Sequence, residues 1–154
     1  MATSSMLAKI IAVFWVIWGL VHVLAGVIVL SSETTGKIGA IADAVAAETL
    51  VLDYPAALGA ILNQHGYNLG WGGIVTLVCG VLIWRGSQLA LYLAAIVGGL
   101  LDIGYFLFLD LGGFVHFMPG TVMTIVSGSA ILLTLVLAKI DPAVLRAVSK
   151  DPET

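Results

Sequence analysis

Charge is what this sequence has least of. Only six of its 154 residues are Lys or Arg and nine are Asp or Glu, 10% in all. A soluble domain carries about 25% charged residues. The shortage excludes an ordinary soluble globule, whose surface needs charge. It equally excludes a disordered chain, which is charge-rich and poor in apolar residues. The net charge is −3 and no basic block occurs, so nucleic acid is excluded as a partner. Cysteine is nearly absent too: Cys79 alone allows no internal disulfide, no CxxC and no thiolate metal cluster. Phosphate-loop, GxSxG, HExxH and dinucleotide-binding glycine patterns are all missing, as are internal repeats and low-complexity linkers. What remains is apolar: 60% of the chain is Ala, Val, Ile, Leu, Met, Phe, Trp, Tyr or Cys. Together these point to an all-α integral membrane protein.

About 20 apolar residues cross the roughly 30 Å hydrocarbon core as a helix. The few charges cut the chain into four such stretches. Residues 10–32, 54–84 and 111–138 contain no charge, and 86–109 contain only Asp102. The expected architecture is one transmembrane domain over residues 1–154, a four-helix bundle with spans near 7–30, 64–84, 88–110 and 119–139. The first apolar stretch is longer than a signal-peptide core. The small-residue A-x-A patterns between Ala40 and Ala46 lie well past its end, so retention is expected. Lys9, Arg85, Lys139, Arg146 and Lys150 fall on one side of such a bundle and Lys37 on the other. By the positive-inside bias, both termini are cytoplasmic in a bacterial inner membrane, with loop 31–63 outside and tail 140–154 inside. That tail opens on a turn signal at Asp141-Pro142, continues as a short amphipathic stretch and frays from Asp151-Pro152.

Within the outer loop, Ile38, Ile41, Val45, Thr49 and Leu52 recur at helical spacing, with Asp43 opposite and Lys37 and Glu48 flanking. This predicts a short amphipathic helix on the outer surface, capped by Thr34 or Thr35 and ended by Asp53-Tyr54-Pro55. It reads as a plain connector first and as a lid second. Residues 56–63 either begin the second span or form a half-helix that breaks at Gly66-Tyr67. Gly66 and Gly70 make a GxxxG, Gly98 and Gly99 recur on the third span, and Gly120, Thr124, Ser127 and Gly128 share a face of the fourth. These small residues favour close helix packing inside the bundle over a homo-oligomer interface. Gly112-Gly113 and Arg85-Gly86-Ser87 read as tight turns, and Pro119 suits a first helical turn. Tyr54, Trp84 and Tyr92 fit an aromatic belt at the span ends.

An ionisable group at mid-span costs about 2.5–3.5 kcal/mol on insertion scales, so it faces the bundle interior and finds a partner. At 1.5 Å per residue, His22 lies about 20 Å from Lys9 and Asp102 about 21 Å from Gln88, the same level in the outer half. His65 opens the second span and His116 sits in the outer connection. Trp15, Trp18, His22 and Gly26 share one helical face, as do His65, Asn68 and Gly72, and Asp102, Tyr105 and Phe106. Converging, these faces make an outward-opening polar pocket of His22, His65, Asn68, Asp102, Tyr105 and Trp18. His22, His65, His116 and Asp102 form a donor set that suits a transition metal, although no HxxxH or HxxE pair supports it. Two histidines from different helices could ligate haem. An Asp102–His22 pair could relay a proton or act as acid and base on a lipid-soluble substrate. Against these stand plainer readings: His22 as a packing hydrogen bonder, His65 as an outer helix cap with Asn63, Gln64 and Asn68, and His116 as a solvated loop residue. The size and four-span plan resemble many small bacterial membrane families, the DoxX-like group among them; the likeness is one of architecture and carries no site residue. Three functions follow as expectations: a binder of a small ligand, metal or cofactor, an accessory subunit of a membrane complex, or a membrane-embedded enzyme.

Overall fold

A computed structural model describes residues 2–142; the expectations for the tail beyond, including Arg146 and Lys150, lie outside the described residues. The described residues are helical, with no strand. Helix α1 runs Ala2–Ser31, α2 is the short Thr34–Ile41, α3 is Ala56–Trp84, α4 is Gln88–Tyr105 and α5 is Val122–Ile140. A wider turn, Phe106–Asp110, prolongs α4, and another, Phe117–Thr121, leads into α5. Four stretches are long and apolar enough to cross a membrane: Ser4–Ser31, Ala56–Trp84, Gln88–Asp110 and Phe117–Ile140. Their outward faces are apolar, with Leu24, Leu100 and Leu132 each at least 60% exposed. That is the reverse of a water-soluble bundle, which turns its polar face outward.

Neighbours form a closed ring, α1–α3–α4–α5 and back to α1, with each helix antiparallel to the next. The tightest contact is α1 on α3, and its cause is a repeat of small residues. Ala12, Gly19 and Gly26 recur every seven residues on α1, as do Gly66, Gly73 and Gly80 on α3. Running oppositely, they pair Ala12 with Gly80, Gly19 with Gly73, and Gly26 with Gly66. A Cβ built on Gly19 would lie 2.7 Å from the Gly73 carbonyl oxygen, and one on Gly26 2.7 Å from that of Gly66. Only hydrogen fits between the two backbones. The sequence expectation of a GxxxG at Gly66 and Gly70 found half of this: space beside Gly70's own Cβ position is open, and the working interval is seven.

The diagonal from α1 to α4 is spanned by tryptophans. Trp15 and Trp18 are fully buried, and the Trp15 ring lies on α4 at Gly98. Around them Ile11, Ile83, Leu91, Ala94, Ala130 and Leu137 fill the half of the bundle nearest Lys9, Arg85 and Lys139, here the basic end. Turns at that end are short. Gly86 takes a positive φ of 92°, and the Ser87 hydroxyl caps α4 by accepting from the Ala90 N–H.

The structure departs from expectation in four places. The second span begins at Ala56, so residues 56–63 belong to it and Gly66 does not break it. Helix α2 stops at Ile41, short of the stretch expected to Leu52, and only a turn of 3-10 helix, Ala47–Leu50, follows. Its N-cap is Glu33, and neither Thr34 nor Thr35 caps it. Lys37, expected as an exposed flank, is buried. Its ammonium donates to the Val29 carbonyl at 2.9 Å and to that of Ser32, satisfying free carbonyls at the C-terminus of α1. Tyr92 turns inward, its hydroxyl buried, and is no part of an aromatic belt; Trp84 does stand outward, with Lys9 over its ring at 5.5 Å.

Gly19→Ala and Gly73→Ala are each expected to lower stability by about 1–3 kcal/mol through overpacking, whereas Gly128→Ala, whose new methyl meets nothing within 4 Å, leaves it unchanged or raised. Thermal unfolding in detergent would show the contrast; equal midpoints in all three variants would refute the packing assignment.

Candidate functional site

Three helices meet at one carboxyl group. Asp102 on α4 is buried, and both of its oxygens are engaged. From α1, the Trp18 indole N–H donates to Oδ1 at 3.2 Å; from α5, the Ser127 hydroxyl donates to Oδ2. Trp18 serves a second residue through its backbone: its carbonyl accepts from Nδ1 of His22, one turn on, at 2.8 Å. A carbonyl only accepts, so Nδ1 carries the proton, and in the neutral ring Nε2 is the lone-pair acceptor that His22 offers. The two rings also stack, with centroids 3.5 Å apart and planes 18° apart, while Trp15 meets Trp18 edge-on at 5.9 Å. His22 and Asp102 therefore form no direct pair. Trp18 stands between them and holds both.

Below α2 lies a chamber of about 90 Å³, to which every helix contributes: His22 from α1, Ile41 from α2, His65 from α3, and Asp102 and Tyr105 from α4, closed by Met123 of α5. Asp43, just past α2, reaches it too. The segment that carries Asp43 is strapped to the α4–α5 connection. The His116 backbone N–H donates to Asp43 Oδ1 at 2.7 Å, and the Ala44 N–H donates to the Phe114 carbonyl at 3.1 Å. A larger cleft of about 480 Å³ adjoins the chamber between α3 and α4, sharing His22, Ile41, His65, Leu69 and Tyr105 with it.

His22, His65, Asp102 and Tyr105 are thus brought together, with Trp18 as the holder of two of them. Asn68 lines the cleft instead, its Oδ1 accepting from the Trp71 indole at 3.1 Å. His65 is no helix cap: α3 starts nine residues earlier, about 14 Å of helix. Its Nε2 is buried with no partner among the described residues. His116 is exposed on the connection, lines neither cavity, and contributes only its backbone. Among the described residues no three His, Cys, Asp or Glu side chains gather as a metal site, so His22, His65, His116 and Asp102 do not form the expected donor set.

Sequence reasoning passed over Ser127 as a partner, although it lies about 18 Å from Lys139 by helical rise, near the level of Asp102. It also passed over Asp110, whose two oxygens accept from Thr121 at 2.6 Å and Thr124 at 2.7 Å, fastening the end of α4 to α5. Compared with known proteins, the chain matches no family model, no curated protein and no solved structure. Its site stands on geometry alone.

The Asp102 network makes a test of its own. Asp102→Asn keeps an acceptor for Trp18 and can donate to the Ser127 oxygen, whereas Asp102→Ala strands the buried indole N–H and is expected to cost about 1–3 kcal/mol. Denaturant titration in mixed micelles should rank wild type and Asn together above Ala. Equal losses for Asn and Ala would show that the hydrogen bonds are not what the carboxyl supplies.

Proposed function

We propose that this is a multi-pass protein of a bacterial inner membrane, with both termini cytoplasmic, that binds a small ligand in the chamber under α2. Membrane residence is supported by four long apolar helices and by Lys9, Arg85 and Lys139 standing together at one end. Ligand binding rests above all on one observation: His22 and His65, from different helices, line the same cavity with ring nitrogens the bundle does not use. Asp102, Asp110 and Lys37 are paired within the bundle; the other unpaired buried groups among the described residues, on Trp15, Gln88 and Tyr92, line neither the chamber nor the cleft, so the two histidines stand apart in sharing a cavity. The acceptor on His22 selects a ligand with an O–H or N–H to donate. Asp102 fixes Trp18, and through it His22, rather than reacting.

Phenol, one hydroxyl on one ring, is a suitable probe. Wild type in lipid nanodiscs is expected to bind it saturably beyond empty discs. His22→Phe keeps a ring over Trp18 and removes both nitrogens, and should weaken binding about tenfold, the worth of one good hydrogen bond. No saturable binding by wild type would overturn the reading. An absorption spectrum and elemental analysis of the purified protein decide the cofactor alternatives: a Soret band would mean haem, a stoichiometric metal a histidine site. The accessory-subunit reading draws on Asp102, whose oxygens are both spent on tying three helices; co-purification with a fixed partner, together with absent phenol binding, would favour it.

A further inference from the structure

The chamber and the cleft differ in kind. About 90 Å³ is room for several waters or one small ring with its hydroxyl. About 480 Å³ falls within the usual range of ligand sites, roughly 300–1,000 Å³. The cleft's walls are two helical stripes. Ile61, His65 and Asn68 follow at steps of four and three on α3; Leu100, Gly104 and Phe108 follow at steps of four on α4. Its rim is apolar and faces outward, with Ile61 61%, Leu100 70% and Phe108 74% exposed. Its inner limit is His22, His65 and Tyr105. Gly104 creates the width, since no atom lies within 4 Å of where its Cβ would be. Nearer the basic end, the Leu101 side chain lies against α3 at Gly72 and closes the gap. On the side facing α2, Ile41, Asp43 and the strap to Phe114 and His116 stand over the chamber.

We propose that the ligand is a lipid-soluble hydroxy compound that enters sideways between α3 and α4, seats its hydroxyl at His22 and leaves its apolar body in the cleft. This rests on the ligand-binding reading above and adds the substrate class and the route. The chemistry is complementary along the whole path. The rim is as apolar as the hydrocarbon it faces, the wall turns polar at His65, and the far end presents an acceptor. A wholly polar solute would have to pass the α2 strap; a wholly apolar one would gain nothing at His22. A tail drawn from lipid exchanges one apolar surrounding for another, so the hydroxyl supplies the selectivity.

The experiment uses the full chain in phosphatidylcholine nanodiscs with two probes, phenol and 4-octylphenol, their concentrations counted in the lipid. Wild type is expected to bind both with similar affinity. Gly104→Phe, which fills the cleft without touching His22, should weaken 4-octylphenol about tenfold or more and leave phenol within about twofold, and Leu100→Trp should do the same. His22→Phe should weaken both. The inference is overturned if Gly104→Phe and Leu100→Trp leave 4-octylphenol unchanged or weaken both probes alike. It is also overturned if wild type binds phenol but takes 4-octylphenol at least about tenfold worse. Failure of wild type to bind phenol at all removes instead the reading on which the inference rests.

Discussion

A carboxyl group inside a helical bundle must be given donors, and Asp102 draws one from α1, diagonally across the bundle, and one from its neighbour α5. This one requirement orders much of the interior. Trp18 has to lie at the level of Asp102, which sets the rotation and height of α1 against α4. Ser127 has to face the same point, which sets α5. An indole is the side chain wide enough to reach across a diagonal and still carry an N–H at its edge. Once Trp18 is pinned, its carbonyl and ring present a fixed seat for His22, which acquires its tautomer and orientation from Trp18 rather than from the acid itself. Asp102 holds Trp18, and Trp18 places His22.

Around that centre the bundle divides along its length. The basic-end half is an apolar core in which the Thr76 and Thr134 hydroxyls bond back into their own helices, to Gly72 and Ala130. The other half carries the histidines, the chamber and cleft they line, and a strap of short, irregular elements. Small residues hold the α1 and α3 backbones together over most of their length. Between α3 and α4, by contrast, Gly104 leaves a gap that opens beside His65 and Tyr105.

Much of the fold was legible because membrane-type segments announce themselves by what they omit. Charge-free runs placed four helices, and the second began early because about 20 residues suffice to cross while α3 runs on for 29. Counting rise along the helices put His22 and Asp102 at one level, and they do line one chamber. Rotation was not legible. Whether Lys37 flanks a helix or caps one depends on how α2 folds back on α1, which no local pattern encodes. The pairing of Trp18 with Asp102, 84 residues apart, depends on which helices become diagonal neighbours. The seven-residue glycine repeat is written in the sequence, but which helix it faces is not. His116 shares an end of the molecule with the other histidines but not their cavities, a separation that helix counting does not reveal.

The order of the helices along the chain also bears on how such a protein is made. Synthesis delivers α1 and α3 first, and their glycine seam involves nothing that comes later. When α4 emerges, Trp18, made 84 residues before Asp102, is already there to be met. Asp102 thus meets its first donor on arrival and its second when α5 brings Ser127. A lone acid late in the sequence, with its partner near the beginning, never has to wait unaccompanied for the rest of the molecule.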